Sequence, residues 1–591
     1  MAQDRRNFLD VSSSATGQRW LPRMDQRQEN QALMMAQAHG VSDVIARILA
    51  GRGVMAEDCE RFLNPSIRDL LPDPLSLTDM GNVAGRLEKA VRNRESVAIF
   101  GDYDVDGACS SAMLKRFFGN FGLDAEIYIP DRIFEGYGPN PDAMRLLASR
   151  ASLIVTVDCG TNSAQAIAAA REAGADVVVI DHHQVGGPLP EGVAVVNPNR
   201  EDDLSGQGHL CAAGVAFLVL VETARHLKDL GGPDLLSFLD LVGLATVCDV
   251  VPLTGVNRAF VVKGLLAARQ QANAGLAALS KAARVGEPLN TFHFGFAIGP
   301  RINAGGRIGD AALGARLLST DDANEAAAIA ETLDRLNGER QAMEQVMLAQ
   351  ALAEADAELM RGPGPAIMVT ASDAWHPGIV GLIASRLKDH AKRPAFAIHF
   401  NANGTGSGSG RSIAGFDLGR LVREAVERGL LVKGGGHAMA AGITIERSKL
   451  GALRAFFEEA ASSQVGRLME DQTLLVDAAI AADGANLALI AEMERAGPYG
   501  QGHPQPVLVL PRHRIADVRP MGNGGHLRVA LQSATGTRLN SVAWRAAETP
   551  LGKFLAENNR GIVHVAGTLS VNHWNGSSTP QLRILDAAKA D

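Results

Sequence analysis

Along the first 80 residues apolar positions gather in short helical clusters between polar ones, and the segment closes in a proline-marked connection, LNPSIRDLLPDPLSL. This predicts short helices after a polar start, with no chemistry standing out. From about Gly85 to Pro252 the pattern changes. The runs VAIF (97–100), AEIYI (125–129), LIVTV (153–157), VVVI (177–180) and VAVV (193–196) alternate with alanine-rich helical stretches. Strands and helices alternating at this spacing imply βαβ units and a mostly parallel sheet. Between Thr320 and Met360 there is no proline and one glycine, Gly338, while Ala, Leu, Glu, Gln and Met dominate. That stretch predicts one long helix, or two nearly in line, bridging domains.

After GPGP (362–365) a second α/β unit starts at AIMVT and runs to about Ser462, and it holds two glycine-rich stretches, NGTGSGSGRSIAG and KGGGHAMAAG. Taken alone, such a stretch is read as a turn. The final segments HLRVALQ, LNSVAW, GIVHVAGTLS and QLRIL, with turn residues between them, predict a small β-barrel. No fixed-period repeat and no low-complexity tract is found.

Composition narrows the class. The 591 residues, 46% hydrophobic and 21% charged, exclude wholesale disorder, collagen-like repeats and coiled coil. Five scattered cysteines with no C-x-x-C pair support neither a disulfide framework nor a cysteine-rich zinc site, and point to a reducing compartment. Asp4, Arg5, Arg6 and Asp10 precede any apolar run, so secretion and membrane insertion are not expected and a cytoplasmic location is. The net charge of −8 is uneven: from Val507 to Asp591 ten Lys or Arg face five acids, which gives that tail +5 and leaves −13 for the rest.

The chemistry begins at GDYDVDG, where Asp102, Asp104 and Asp106 leave a strand and Gly107 lets the backbone turn. Three carboxylates in five residues repel one another unless a cation sits among them. A calcium loop starting at Asp102 would need a Glu at its twelfth position, which is Ala112. The event recurs where LIVTV ends in Asp158-Cys159-Gly160 and VVVI in Asp181-His182-His183, and Asp249 in ATVCDVVPL adds a fourth. In an open parallel sheet the carboxyl ends of strands converge on one crevice. Mostly carboxylate ligands with one or two imidazoles suit Mn²⁺ or Mg²⁺, and so many exceed one ion's needs. Two ions about 3.5 to 4 Å apart would make the nucleophile and stabilise the leaving oxygen in phosphate-ester hydrolysis. Cys159 and Cys248, beside candidate ligands, read as packing residues.

DYDVDG, VDCG, DHH and CDVVPL, in this order, resemble the DHH phosphoesterases. GPRINAGGRIGDA (299–311), HPGIVGLIASRL (376–387), GSGRSIAGFDL (408–418), GGGHAMAAG (434–442) and PYGQGHPQP (498–506) are similar to the blocks of that family's single-strand-specific 5′ to 3′ DNA exonucleases. The likeness covers nearly the whole chain, with departures at Cys248, Tyr499 and His503. It implies an α/β chain: an N-terminal helical region (1–80), a DHH parallel-sheet domain (81–320), a long connecting helix (321–361), a DHH-associated α/β substrate domain (362–465) and a C-terminal OB-fold β-barrel (470–591). Carried over, it makes Asp104, Asp106, Asp158, His182 and Asp249 metal ligands for two ions, with Asp102 a further ligand or a carboxylate behind them. His183 then faces the scissile phosphate, and counts with Asp158 and Asp106 among the catalytic groups.

Arg301, Asn303 and Arg307, then Ser409, Arg411 and Ser412, then Gly434, Gly435, Gly436 and His437, can hold phosphate oxygens through guanidinium forks, hydroxyls and exposed backbone N–H groups. His376, Arg132 and Tyr137 are weaker candidates for lining the site. Trp544, Phe554 and Trp574 are candidates for base stacking in the basic tail.

The function implied is degradation of single-stranded DNA from its 5′ end to mononucleotides, in recombination and in mismatch and base-excision repair. Its implied partners are single-stranded DNA, single-strand-binding protein and a RecQ-type helicase, with no membrane. Single-strand selectivity would follow from a groove between the two α/β domains too narrow for a duplex. The alternatives are a DHH oligoribonuclease or nucleotide phosphatase, which needs neither the N-terminal region nor the basic tail, and a DNA-binding repair scaffold, which would have lost ligands. No G-x-x-x-x-G-K-[ST] segment occurs, which disfavours an ATP-driven helicase.

Overall fold

The computed structural model describes residues 6–131, 134–286, 288–360, 362–470, 472–522, 524–574 and 576–590. It divides into two compact units: Met1–Asp69 with Glu470–Asp591, and Leu70–Met469. Among the described residues no helix is long and apolar enough to cross a membrane. In the first unit a short strand β1 (Arg19–Pro22) leads into helices α1 (Gln26–His39) and α2 (Asp43–Ala50). Asp25 and Gln28 cap α1 reciprocally, backbone to side chain at 2.8 and 2.9 Å, and so satisfy two donors that a helix start leaves open.

The second unit opens with the five expected strands, β2 (Val97–Gly101), β3 (Glu126–Tyr128), β4 (Leu153–Val157), β5 (Asp176–Ile180) and β6 (Ala194–Val196). All pair in parallel, in the order β3-β2-β4-β5-β6. The chain passes from β2 to β3 on one side and resumes at β4 on the other, so the order reverses between β2 and β4. Such a reversal opens a crevice at the carboxyl ends of those strands.

Four helices frame this crevice: α3 (Val105–Asn120), α4 (Ala212–His226), α5 (Leu239–Cys248) and α6 (Gly299–Ile308). The bridging segment is one helix, α7 (Ala323–Leu359), of 37 residues, started by the Asp322 side chain on the Asn324 and Glu325 N–H groups.

Beyond it lies a second sheet with order β10-β11-β9-β8-β7, made of β7 (Met368–Ser372), β8 (Ala395–Phe400), β9 (Thr405–Arg411), β10 (Lys433–Gly436) and β11 (Ala440–Glu446). The glycine-rich stretch read as a turn is strand β9 here. Its glycines do a packing job. A Cβ at Gly406 would stand 2.6 Å from the Phe400 ring and one at Gly408 2.8 Å from Ile443, so bare backbone lets these large side chains lie across the strand.

In the first unit β12 (Thr473–Val476) pairs in parallel with β1, which lay outside the helical expectation for that region because its partner is some 450 residues away. After the two-residue β13 (Ala478–Ala479) come β14 (Leu508–Met521), β15 (His526–Gln532), β16 (Arg538–Ala543), β17 (Ile562–Trp574) and β18 (Ser577–Lys589). They run β14-β15-β16-β18-β17, and β14 pairs back with β17, which closes the expected barrel. Arg23 and Arg52 both bond Asp477, at 2.9 and 2.6 Å, and tie the N-terminal segment to the start of the barrel.

Candidate metal centre

Each ligand candidate is delivered by a strand or helix end. Asp104 caps α3, its Oδ1 accepting the Asp106 and Gly107 N–H groups at 2.9 and 3.1 Å. Gly107 must be glycine, because a Cβ there would collide with the Asp102 backbone. Asp106, 1% exposed, accepts the Ala212 and Ala213 N–H groups at 2.6 and 2.8 Å. Its carboxylate therefore sits on the positive end of α4. Asp158 leaves β4 with φ 58°, a left-handed conformation uncommon outside glycine, and such strain collects at functional sites. Asp249 follows directly on α5.

These side chains form three overlapping groups in which the candidate donor atoms all lie within 4.8 Å of one another: Asp102, Asp104 and Asp158; Asp106, His182 and Asp249; and Asp158, His182 and His183. His182 Nε2 stands 3.3 Å from Asp158 Oδ1 and 3.8 Å from both Asp106 Oδ2 and Asp249 Oδ2. His182 Nδ1 meets the Leu210 carbonyl at 3.0 Å. A carbonyl only accepts, so Nδ1 carries the proton and Nε2 presents its lone pair to the carboxylates, the tautomer a metal ligand needs. Asp158 Oδ1 is buried and accepts no hydrogen bond among the described residues.

Burial, and then the surrounding carboxylates, push the Asp158 and Asp249 carboxyls well above their usual range. Burial also raises the Asp106 carboxyl, against the opposing pull of His182. Carboxylates buried this closely cannot all ionise without a cation among them. An orphaned buried oxygen, an oriented imidazole lone pair and an oxygen-rich donor set fit hard or borderline divalent ions such as Mn²⁺ or Mg²⁺.

His183 is held differently. Asp181 Oδ1 accepts its Nδ1–H at 2.8 Å and the His182 and His183 N–H groups at 2.8 and 3.1 Å, while Oδ2 accepts Thr161 N–H. Burial lowers the His183 pKa, but the Asp181 bond and charge outweigh it, so the pKa is raised. Its Nε2 lies 3.1 Å from the Tyr137 hydroxyl. Asn197 Nδ2 donates to the His183 carbonyl at 2.9 Å, and Asn199 Nδ2 to the His182 carbonyl at 2.5 Å. Asp181 was read with His182 and His183 at a strand end but given no role of its own, and Asn197 and Asn199 were not among the expected site residues; for these two the N-P-N that follows β6 was the available signal. Cys159 Sγ faces the Val157 carbonyl and Cys248 Sγ the Phe294 carbonyl, both as packing groups.

Of the expected phosphate-holding groups, His437 lies near enough to His183 and His182 for their charge, after burial, to lower its pKa. It follows Gly435, which is exposed, and Gly436, at φ 147°. Arg411 donates to Ser409 Oγ at 2.9 Å, and Arg307 reaches across to the Gly378 carbonyl at 2.9 Å beside His376. Asn303 Oδ1 is buried without a hydrogen-bond partner among the described residues. Arg301 is turned onto Asp334 of α7 at 2.8 Å and the Ala297 carbonyl, and buried Ser412 donates to the Phe416 carbonyl at 2.8 Å. Arg132 lies outside the described residues.

On the barrel, Arg519 stands directly opposite Arg528, and Arg528 opposite Val542, whose other neighbour is Arg583. Like charges facing across strands repel unless an anion lies over them, and Asp517 Oδ2 meets Arg519 Nε at 2.5 Å. Trp544 is half exposed beside His526, with ring centroids 4.9 Å apart. Phe554 packs on the barrel core, and the Trp574 side chain lies outside the described residues. His503, one of the departures, is buried and stacked on Tyr499 at 5.0 Å.

Three family models match this chain: the DHH family N-terminal domain over residues 96–246, the DHHA1 domain over 364–463 and the RecJ OB domain over 476–586. The single-stranded-DNA-specific exonuclease RecJ of Bacillus subtilis is 33% identical over 557 residues, covering 93% of this chain and 68% of the relative. That of Escherichia coli is 33% identical over 562 residues, covering 92% and 95%. The crystal structure of Thermus thermophilus RecJ with Mn²⁺ is similar at TM-score 0.79 and 31% identity, over 95% of this chain and 78% of that one. The Mg²⁺ complex gives TM-score 0.74 at 30% identity, over 95% and 77%.

Proposed function

The chain belongs to the RecJ family of single-stranded-DNA-specific exonucleases, and from that membership we propose that it removes mononucleotides from the 5′ end of single-stranded DNA by hydrolysing phosphodiester bonds. The observation that carries this reading is the set of overlapping donor groups at the carboxyl ends of β2, β4 and β5, where a parallel sheet binds ligands. Asp102, Asp104, Asp106, Asp158, His182 and Asp249 would hold the two Mn²⁺ or Mg²⁺ ions. When bound there, the ions supply a water nucleophile at neutral pH and stabilise charge on the leaving oxygen.

The remaining groups act by position. Asp181 keeps the proton on His183 Nδ1, leaving Nε2 to stabilise charge on the scissile phosphate or pass a proton to the leaving 3′ oxygen. Arg307, Asn303, Ser409, Arg411, the exposed backbone of Gly435 and Gly436, and His437 hold phosphate oxygens. The Arg307 contact with Gly378 and the nearness of His437 to the histidine pair bring the second sheet over the crevice. That closeness supports access for a single strand and not for a duplex about 20 Å across, a width implied by its groove dimensions. The arginine row and Trp544 give the barrel the cations and stacking surface that single-strand binding uses. Such an enzyme fits recombination and mismatch or base-excision repair in the cytoplasm, fed by a RecQ-type helicase and single-strand-binding protein.

A time course on a 3′-labelled single strand and its matched duplex, with Mn²⁺, Mg²⁺ or EDTA and an Asp158→Ala control, tests this. Metal-dependent shortening of the single strand alone, absent in the control, is expected. An intact strand that still binds would make the chain a scaffold, and cleavage confined to di- and trinucleotides a small-substrate enzyme.

A further inference from the structure

Helix α6 runs along the whole metal centre. At one end, a Cβ at Gly299 would stand 2.5 Å from the sulfur of Cys248, the residue before Asp249. At the other, a Cβ at Gly306 would stand 2.8 Å from Tyr103, between Asp102 and Asp104. The helix can lie this close because both contact points are glycine. It continues without a break from a π-helical turn, His293–Ile298, and such turns gather at functional sites. This turn packs on the end of α5: Cys248 Sγ reaches the Phe294 carbonyl at 3.4 Å, and a Cβ at Gly295 would lie 3.7 Å from Val247.

Two large rings stand at the turn in solvent, Phe292 just before it and Phe296 within it. Phe292 is 63% exposed and Phe296 72%, and they are stacked face to face with centroids 5.1 Å apart and planes 25° apart. Val250, just past Asp249, is 63% exposed as well. Phe296, Pro300, Asn303 and Arg307 recur at four, three and four residues, the spacing of one helical face. The exposed pair thus prolongs the wall that carries the candidate phosphate groups past the Asp249 side of the centre. Paired exposed aromatics cost solubility and mark a binding surface.

We propose that Phe292 and Phe296 form a base-stacking platform for the DNA strand beside the scissile phosphate. This rests on the single-strand exonuclease reading and adds a hold on the bases at the metal centre, where that reading held only phosphates. Stacking on an aromatic face holds every base alike, as a processing enzyme that meets any sequence requires. The polar wall holds phosphates and the apolar end holds bases, so the strand is gripped on both of its chemical faces.

The test compares wild type, Phe296→Ala, Phe296→Trp and Phe296→Leu on an ordinary single strand and on one whose 5′ nucleotides are abasic, with Mn²⁺ present and Asp158→Ala as control. Phe296→Ala should raise KM for the ordinary strand about 5- to 100-fold, the effect of losing one stacked base. Phe296→Trp should restore it and Phe296→Leu should not, and on the abasic strand the four proteins should agree within about twofold. An unchanged KM for Phe296→Ala and for Phe292→Ala overturns the platform while leaving the exonuclease in place, as it would if the patch docked another protein. An equal penalty on the abasic strand also overturns it, because the rings would then act by shape alone. Failure of wild type to shorten any strand removes the underlying reading instead.

Discussion

The indole N–H of Trp20 donates to Asp586 Oδ2 at 2.8 Å, and both residues are fully buried although 566 positions apart. The other oxygen of Asp586 accepts the Thr16 and Ala587 N–H groups. Trp20→Phe keeps most of the apolar volume and strands one carboxylate oxygen, which costs about 1–3 kcal/mol for a buried acceptor and more for a charged one. Calorimetry is expected to show the melting of the barrel unit lowered, with the metal-centre unit unchanged.

The buried carboxylates trade stability for chemistry. Asp158→Asn removes one of the mutually repelling charges, so this variant should melt higher than wild type in EDTA and show no strand cleavage when Mn²⁺ is present. Adding Mn²⁺ should raise the wild-type melting temperature as ligand linkage requires, and raise the variant's much less. A variant that gains as much from Mn²⁺ as wild type would remove Asp158 from the ligand set.

Asn199 touches no candidate ligand atom; its amide holds the backbone carbonyl of His182. Asn199→Ala should loosen that imidazole and weaken Mn²⁺ binding roughly 10- to 100-fold, the usual effect of losing a group behind a ligand. Activity titrated against Mn²⁺ should shift to higher metal and recover most of its kcat at saturation.

Asp240 is 3% exposed in α5, and burial raises its carboxyl from 3.8 to about 6. Between these values the folded state binds more protons than the unfolded one, so its contribution to stability falls as pH rises from about 4 to 6. Below about pH 4 both states are protonated and nothing is lost; above 6 the penalty is complete, at roughly 2 to 3 kcal/mol for two pKa units. Asp240→Asn should therefore be more stable than wild type at pH 7 and equal to it near pH 3.5. Denaturant titrations at the two pH values check this.

Gly410 shows why β9 is poor in side chains. A Cβ there would collide with the Phe396 ring and come within 2.8 Å of Leu418. Gly410→Ala should cost about 1–3 kcal/mol through overpacking, and should raise KM by displacing the neighbouring Ser409 and Arg411. Exposed Gly435, where a Cβ meets nothing within 4 Å, should accept alanine with no such loss of stability.

The parallel sheet was legible because its strands are short apolar runs rich in β-branched residues, and three of them, β2, β4 and β5, end directly in an aspartate, which is also why Asp102, Asp158 and His182 could be read from sequence. Burial on both faces leaves such strands little freedom in composition. What could not be read depends on distant partners. Strand β1 exists because Thr473–Val476 lies beside it, and β14 carries Pro511 and Pro520, which break a strand pattern, at register shifts and near its end. Glycines 406, 408 and 410 read as a turn until Phe400, Ile443 and Phe396 are placed over them. Nothing in the sequence singles out Phe292 and Phe296; their exposure is seen only in the structure.

The Trp20 and Arg52 anchors also set an order of events in time. They emerge from the ribosome early, but Asp477 and Asp586 are made after the whole of Leu70–Met469. At the usual rates of synthesis that interval is about 20 to 80 seconds. The metal-centre unit can therefore be complete while the first 69 residues still wait for their barrel, and a chain that stalls before residue 477 carries a finished catalytic crevice without its basic barrel. The barrel unit therefore assembles after the metal-centre unit, once both of the segments that build it have been made.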